Sequence, residues 1–141
     1  LILSADTITS TGSLRAPAGT VEVSGSQISL LDNTAINVSG PNGGGSVIIG
    51  NQDTSRTFIG PNVEIRADAI AQGNGGRVII SGNEITGFYG TIRARGGEIS
   101  GNGGYVEISG QEYLTFRGNV DTSAMNGFAG TLLLFHRYHH C

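Results

Sequence analysis

The chain has 141 residues and a mass of 14.5 kDa, the size of one domain, and glycine fills 24 positions, more than twice its usual share of about 7%. Three prolines without a Gly-X-Y period exclude a collagen helix, and a charged fraction of 13% argues against a charge-rich disordered chain. The net charge of −3, with no cluster of basic residues, makes nucleic acid an unexpected partner, and no apolar run of about 18 residues offers a membrane-spanning helix.

One phrase recurs along the chain: a glycine, a variable residue, then alternating aliphatics, often closed by Ser-Gly. It reads Gly19-Thr20-Val21-Glu22-Val23-Ser24-Gly25, then Gly45-Ser46-Val47-Ile48-Ile49-Gly50, then Gly76-Arg77-Val78-Ile79-Ile80-Ser81-Gly82. It returns as Gly104-Tyr105-Val106-Glu107-Ile108-Ser109-Gly110 and as Gly130-Thr131-Leu132-Leu133-Leu134. The leading glycines step by 26, 31, 28 and 26 residues. An Asn-Gly pair precedes the last four copies, at Asn42-Gly43, Asn74-Gly75, Asn102-Gly103 and Asn126-Gly127. Asn-Gly favours positive φ and marks tight turns.

Each period holds three short runs with the alternation of half-buried strands and no helical periodicity. In one period these runs are 78–80, 85–88 and 91–94; in the next they are 105–108, 113–116 and 119–122. Three strands and three turns per period predict an all-β fold, one coil of a parallel β-helix per repeat. About five coils over residues 1–134, stacked about 4.8 Å apart, would span about 24 Å. Residues 135–141 break the rhythm and are expected to form an irregular, histidine-rich tail.

Stacking predicts columns of equivalent side chains. Val21, Val47, Val78, Val106 and Leu132 form one interior column; Val23, Ile49, Ile80, Ile108 and Leu134 form a second. Leu31, Phe58, Phe88 and Phe116, ten or eleven residues after the first valine, are expected to form a third. Outward, Glu22, Ile48, Ile79, Glu107 and Leu133 align, and Ile48 and Ile79 are candidates for a docking stripe. In the third strand Glu64, Arg93 and Asp121 are expected to stack with alternating sign as a charge ladder, whose pairs as a solvated face contribute about 0–1 kcal/mol each. These five residues, Ile48, Ile79, Glu64, Arg93 and Asp121, are the candidate interaction residues.

The segment Gly101-Asn102-Gly103-Gly104-Tyr105-Val106-Glu107-Ile108-Ser109-Gly110 carries a further signal, together with Leu114-Thr115-Phe116-Arg117-Gly118-Asn119-Val120-Asp121-Thr122-Ser123-Ala124 and Asn126-Gly127-Phe128-Ala129-Gly130-Thr131-Leu132-Leu133-Leu134. It resembles the filamentous haemagglutinin-like family, the exported partners of two-partner secretion systems. The likeness in rhythm covers residues 14–134 and is most specific over 73–134. It implies a right-handed β-helix, export through an outer-membrane barrel transporter, a secreted or cell-surface location and a role in adhesion or aggregation. By that likeness the partners are a host or neighbouring-cell surface or a polysaccharide. The family shares no catalytic residues, and the chain departs from it after Leu134, where relatives usually continue Asp-Pro. The chain is expected to be an excerpt of a longer solenoid that associates end to end through its apolar ends, Leu1-Ile2-Leu3 and Leu132-Leu133-Leu134-Phe135.

Sites for chemistry are sparse. His136, His139, His140 and Cys141 have metal-ligand side chains but lack a second ligand pair, so an irregular tail without metal is expected. The Gly73-Asn74-Gly75-Gly76 loop lacks the lysine and helix N-terminus of a phosphate cradle, and the loops lack the aspartate of calcium-binding repeats. No cofactor is expected. The serines of the repeat body have no histidine to act as base. Asp121 matches Arg93, and Asp68 matches Gly97, in the adjacent repeat. Glu84 and Glu112, 28 residues apart, align and are the one carboxylate pair that could serve glycoside hydrolysis. The expected function is non-catalytic: a structural and interaction module, with a carbohydrate-active enzyme or polysaccharide-binding module as the alternative.

Overall fold

The computed structural model describes residues 1–136. Its alternating runs form sixteen strands and, among the described residues, no helix. The first rung is β1 (Ile2–Ser4), β2 (Thr7–Ser10) and β3 (Ser13–Arg15); the second is β4 (Thr20–Ser24), β5 (Gln27–Leu30) and β6 (Ala35–Asn37). The third is β7 (Ser46–Ile49), β8 (Arg56–Ile59) and β9 (Glu64–Arg66), and the fourth β10 (Arg77–Gly82), β11 (Ile85–Phe88) and β12 (Thr91–Arg93). The fifth is β13 (Tyr105–Gly110), β14 (Tyr113–Phe116) and β15 (Asn119–Asp121), and β16 (Thr131–His136) opens another.

Strands pair with their counterparts in neighbouring rungs, always in parallel. The first sheet runs β1-β4-β7-β10-β13-β16, the second β2-β5-β8-β11-β14 and the third β3-β6-β9-β12-β15. Parallel neighbours demand a crossover between them, and here the other two strands of the rung supply it. The chain is a parallel β-solenoid with three strands per coil, as the repeat predicts. The repeated phrase misses its first rung: β1 lacks a leading glycine, and Leu3 pairs with Val23 only 20 residues on.

The core is a set of stacked columns. Val21, Val47, Val78 and Val106 are fully buried and in register with Leu132; Val23, Ile49, Ile80 and Ile108 lead likewise to Leu134. Leu132 and Leu134 hold the expected positions but are about two-fifths exposed, because no described rung lies over β16. The third sheet contributes Leu14, Ile36, Ile65, Ile92 and Val120. Thr57 and Thr86 are buried within the second sheet, and each hydroxyl donates to a backbone carbonyl of the first sheet, Ser81 at 2.7 Å and Ser109 at 2.6 Å. Those bonds offset the cost of removing a hydroxyl from water.

The aromatic column differs from the expectation in two members. Phe88 stacks on Phe116 inside, with centroids 5.6 Å apart and planes at 9°. Below Phe88 sit Ile59 and Leu30, not Phe58 and Leu31. Phe58 lies on the outer face and is 38% exposed. The corner at residues 50–55 is longer than the two-residue corner at 83–84, so a fixed count lands one position early at Phe58, whereas at Leu31 it lands one position late.

Three of the four Asn-Gly pairs also differ from the expectation. Gly75, Gly103 and Gly127 are not at positive φ; Gly43, Gly50, Gly73 and Gly101 are. The leading glycines are needed for close approach. A Cβ on Gly45, Gly76, Gly104 or Gly130 would meet the carbonyl oxygen of the leading glycine one rung before it at 2.0–2.1 Å. Phe135 and His136, expected to open the tail, instead pair with Ser109 and Gly110 in β16, and residues 137–141 lie outside the described residues.

Candidate functional site

The solenoid offers three outward faces, each a grid of columns set by register. On the first face Ile48 and Ile79 are adjacent, in register and half-buried, between Glu22 and Glu107. The structure therefore brings this expected pair together. Beside it the Tyr105 hydroxyl donates to Glu107 at 2.8 Å, which holds the phenol above its ordinary pKa. The Arg77 guanidinium lies 5.7 Å from the centre of the Tyr105 ring, within cation–π range.

On the third face the expected ladder is rearranged. Arg93 is in register with Asp121 on one side but with Arg66, not Glu64, on the other. Glu64 pairs with Thr91 because the corner at 60–63 is two residues longer than that at 89–90. Glu64 nonetheless comes near Arg93, with Oε1 3.8 Å from Nη1, and it also accepts from Arg66 Nε, a partner the spacing does not predict. It thus offsets the repulsion of two stacked guanidiniums. Asp121 is held below the usual carboxylate range, chiefly by its hydrogen bond to Ser123 and also by the charges of Arg95 and Arg93.

Asp68 faces Arg95, not Gly97. The Arg95 backbone amide donates to Oδ1 at 2.8 Å, and Nη2 lies 3.0 Å from Oδ2. The Asp68 side chain is only 10% exposed, and this bond raises the pKa of Arg95. With Ile70, Glu98 and Met125 the pair lines a cavity of about 270 Å³ at one corner. Counting onward from the Arg66 and Arg93 register would have revealed the pair.

Glu84 and Glu112 stack as expected, with the Glu112 amide donating to the Glu84 carbonyl at 3.1 Å, and both lie exposed on a corner. The amides of residues 73, 75 and 76 all donate to neighbouring rungs, to Ser100, Asn102 and Ala67, and so are not available to an anion. His136 Nε2 contacts the Glu112 carbonyl oxygen. Among the described residues no group of three His, Cys, Asp or Glu could hold a metal, and His139, His140 and Cys141 lie outside those residues.

The second face carries a feature the sequence reading missed by placing Phe58 inside. Phe58 and Tyr89 stand on neighbouring rungs with ring centres 5.5 Å apart and planes at 44°. Gly87 lies buried beneath both rings, and the groove they line has a volume of about 380 Å³. Comparison with models of known protein families and with curated proteins gave no match.

Proposed function

We propose that this chain is a non-catalytic structural and interaction module of a secreted bacterial surface protein, of the filamentous haemagglutinin-like kind. It presents its faces for adhesion or aggregation. The single observation that supports the reading is the register: rung after rung stacks in parallel and turns outward side chains into flat, continuous columns. Such faces suit broad contact with a cell surface or a polymer. On this reading the parent protein reaches the outside through an outer-membrane barrel transporter.

Beads coated with the purified chain test the proposal. They are expected to adhere to epithelial or bacterial cells, or to one another, several-fold more than albumin-coated beads. Equal adhesion would overturn it. The stacked Glu84 and Glu112 favour a second reading, a carbohydrate-active enzyme, because carboxylates on adjacent rungs approach the separation of a glycosidase pair. Release of reducing sugar from a polysaccharide panel, abolished by Glu112→Gln, would establish that activity instead.

A further inference from the structure

The groove on the second face has a composition that selects its occupant. Phe58 and Tyr89 pack against each other as a tilted aromatic platform, and the absence of a side chain at Gly87 lets both rings settle close over the backbone. The rim adds Gln27, Ser29 and Thr115, whose neutral groups can donate or accept hydrogen bonds. A volume of about 380 Å³ lies in the range of small-ligand sites, about 300–1,000 Å³.

Three classes of occupant fit poorly. The groove lies in mid-sheet, where β8 is already paired to β5 and β11, so it has no free edge for an added peptide strand. A nucleic acid strand would find aromatic rings but little positive charge, since Arg56 is the one charged residue of the lining. A polyanion of any kind would also meet Glu84 and Glu112, both exposed and adjacent in sequence to the outward-facing Ile85 and Tyr113. A neutral sugar chain avoids these penalties. The axial C–H bonds of a pyranose form an apolar face that stacks on the electron-rich face of an aromatic ring, while its hydroxyls bond to amide and hydroxyl groups at the edge.

From this geometry we infer that the groove binds a neutral glycan, with one pyranose ring stacked on the outer side of the aromatic platform that Phe58 and Tyr89 form over Gly87. Successive rungs lie about 4.8 Å apart, close to the width of one sugar ring, so a chain along the solenoid axis passes over Ser29, Phe58, Gly87 and Thr115 in turn. The inference rests on the proposed role as an interaction module and names one ligand and its site.

Isothermal titration of the 141-residue chain against neutral hexasaccharides (of glucose, xylose, mannose and N-acetylglucosamine) and against acidic oligogalacturonate tests it. At least one neutral oligosaccharide is expected to bind, with an affinity insensitive to added salt. Phe58→Ala removes one ring at an exposed position, and Gly87→Val displaces both rings from beneath, since a Cβ there meets Tyr89 and Phe58 at 3.4 and 3.5 Å without striking backbone. Each is expected to weaken binding by about tenfold or more while leaving the far-UV circular dichroism unchanged. The inference is overturned if no neutral glycan binds, if both variants bind as the parent does, or if binding is confined to the acidic sugar. Bead adhesion separates the two ideas: adhesion retained by both variants alongside a failed titration removes the glycan site and leaves the module standing.

Discussion

The column of leading glycines makes a sharp prediction about stability. In Gly104→Ala the new methyl would lie 2.1 Å from the Gly76 carbonyl oxygen, 2.7 Å from the Gly75 carbonyl carbon and 2.9 Å from the Gly75 oxygen. All three are backbone atoms, so no side chain can swing aside, and the two rungs must separate locally by about 1 Å. That movement strains the bond from the Tyr105 amide to the Gly76 carbonyl, 3.0 Å, and the bond from the Thr131 amide to the Gly104 carbonyl, 3.0 Å. Overpacking costs about 1–3 kcal/mol, and weakening two backbone hydrogen bonds adds about 1 kcal/mol each, for a total of about 3–5 kcal/mol. At a urea m-value of about 2 kcal/mol/M the midpoint should fall by about 1.5–2.5 M. The assay is urea unfolding followed by far-UV circular dichroism. Gly12→Ala is the control, since a Cβ there has nothing within 4 Å, and it should remain within about 0.5 kcal/mol of the parent. Unfolding of Gly104→Ala at the parent midpoint, or an equal fall in Gly12→Ala, would refute the argument from close approach.

Phe88→Ala should cost about 3–5 kcal/mol because the ring is fully buried against Phe116, whereas Phe58→Ala on the outer face should cost under about 1 kcal/mol; equal midpoints in urea would contradict the register. Asp121 has a folded pKa below its unfolded value, so its contribution is present above the ordinary carboxylate range and lost as the pH falls through the folded value. The urea midpoint of the parent should therefore drop more between about pH 5 and about pH 2.5 than that of Asp121→Asn, and parallel profiles would count against the Ser123 and arginine contacts. The 141-residue chain should self-associate with rising concentration, through the open row of Leu132, Leu134 and Phe135 or through the outer edges of β14 and β15; a single monomeric species in sedimentation at high concentration would oppose this.

The fold was legible because strict alternation repeats at a nearly constant interval, and such a pattern has one economical way to bury every inward face. The valine and isoleucine columns of the first sheet follow directly, since each begins a fixed step after a leading glycine. Legibility decays with distance from that glycine. The corners at 50–55 and 60–63 each contain residues that their counterparts lack, and each shift by one or two turns the inferred face or partner. A fixed interval therefore places Phe58 in the interior, Glu64 beside Arg93 and Asp68 beside Gly97. The run Arg56-Thr57-Phe58-Ile59 compounds the difficulty. Its inward pair is a threonine and an isoleucine, so hydrophobicity alone does not favour the correct phase over the wrong one. The aromatic groove was hidden by the same error, because Tyr89 gains its meaning only when Phe58 stands beside it. The burial of Thr57 and Thr86 depends on carbonyl partners far along the chain, which no local pattern records.

The spacing between equivalent residues ranges from 20, between Leu3 and Val23, to 31, between Val47 and Val78, yet the pairing of the strands is uninterrupted. All of that variation is absorbed at the bends. An insertion at a bend therefore leaves the lattice of rungs intact and adds only a protrusion to the outline. This architecture can diversify in profile, acquiring or shedding loops at its vertices, while its cross-section stays the same.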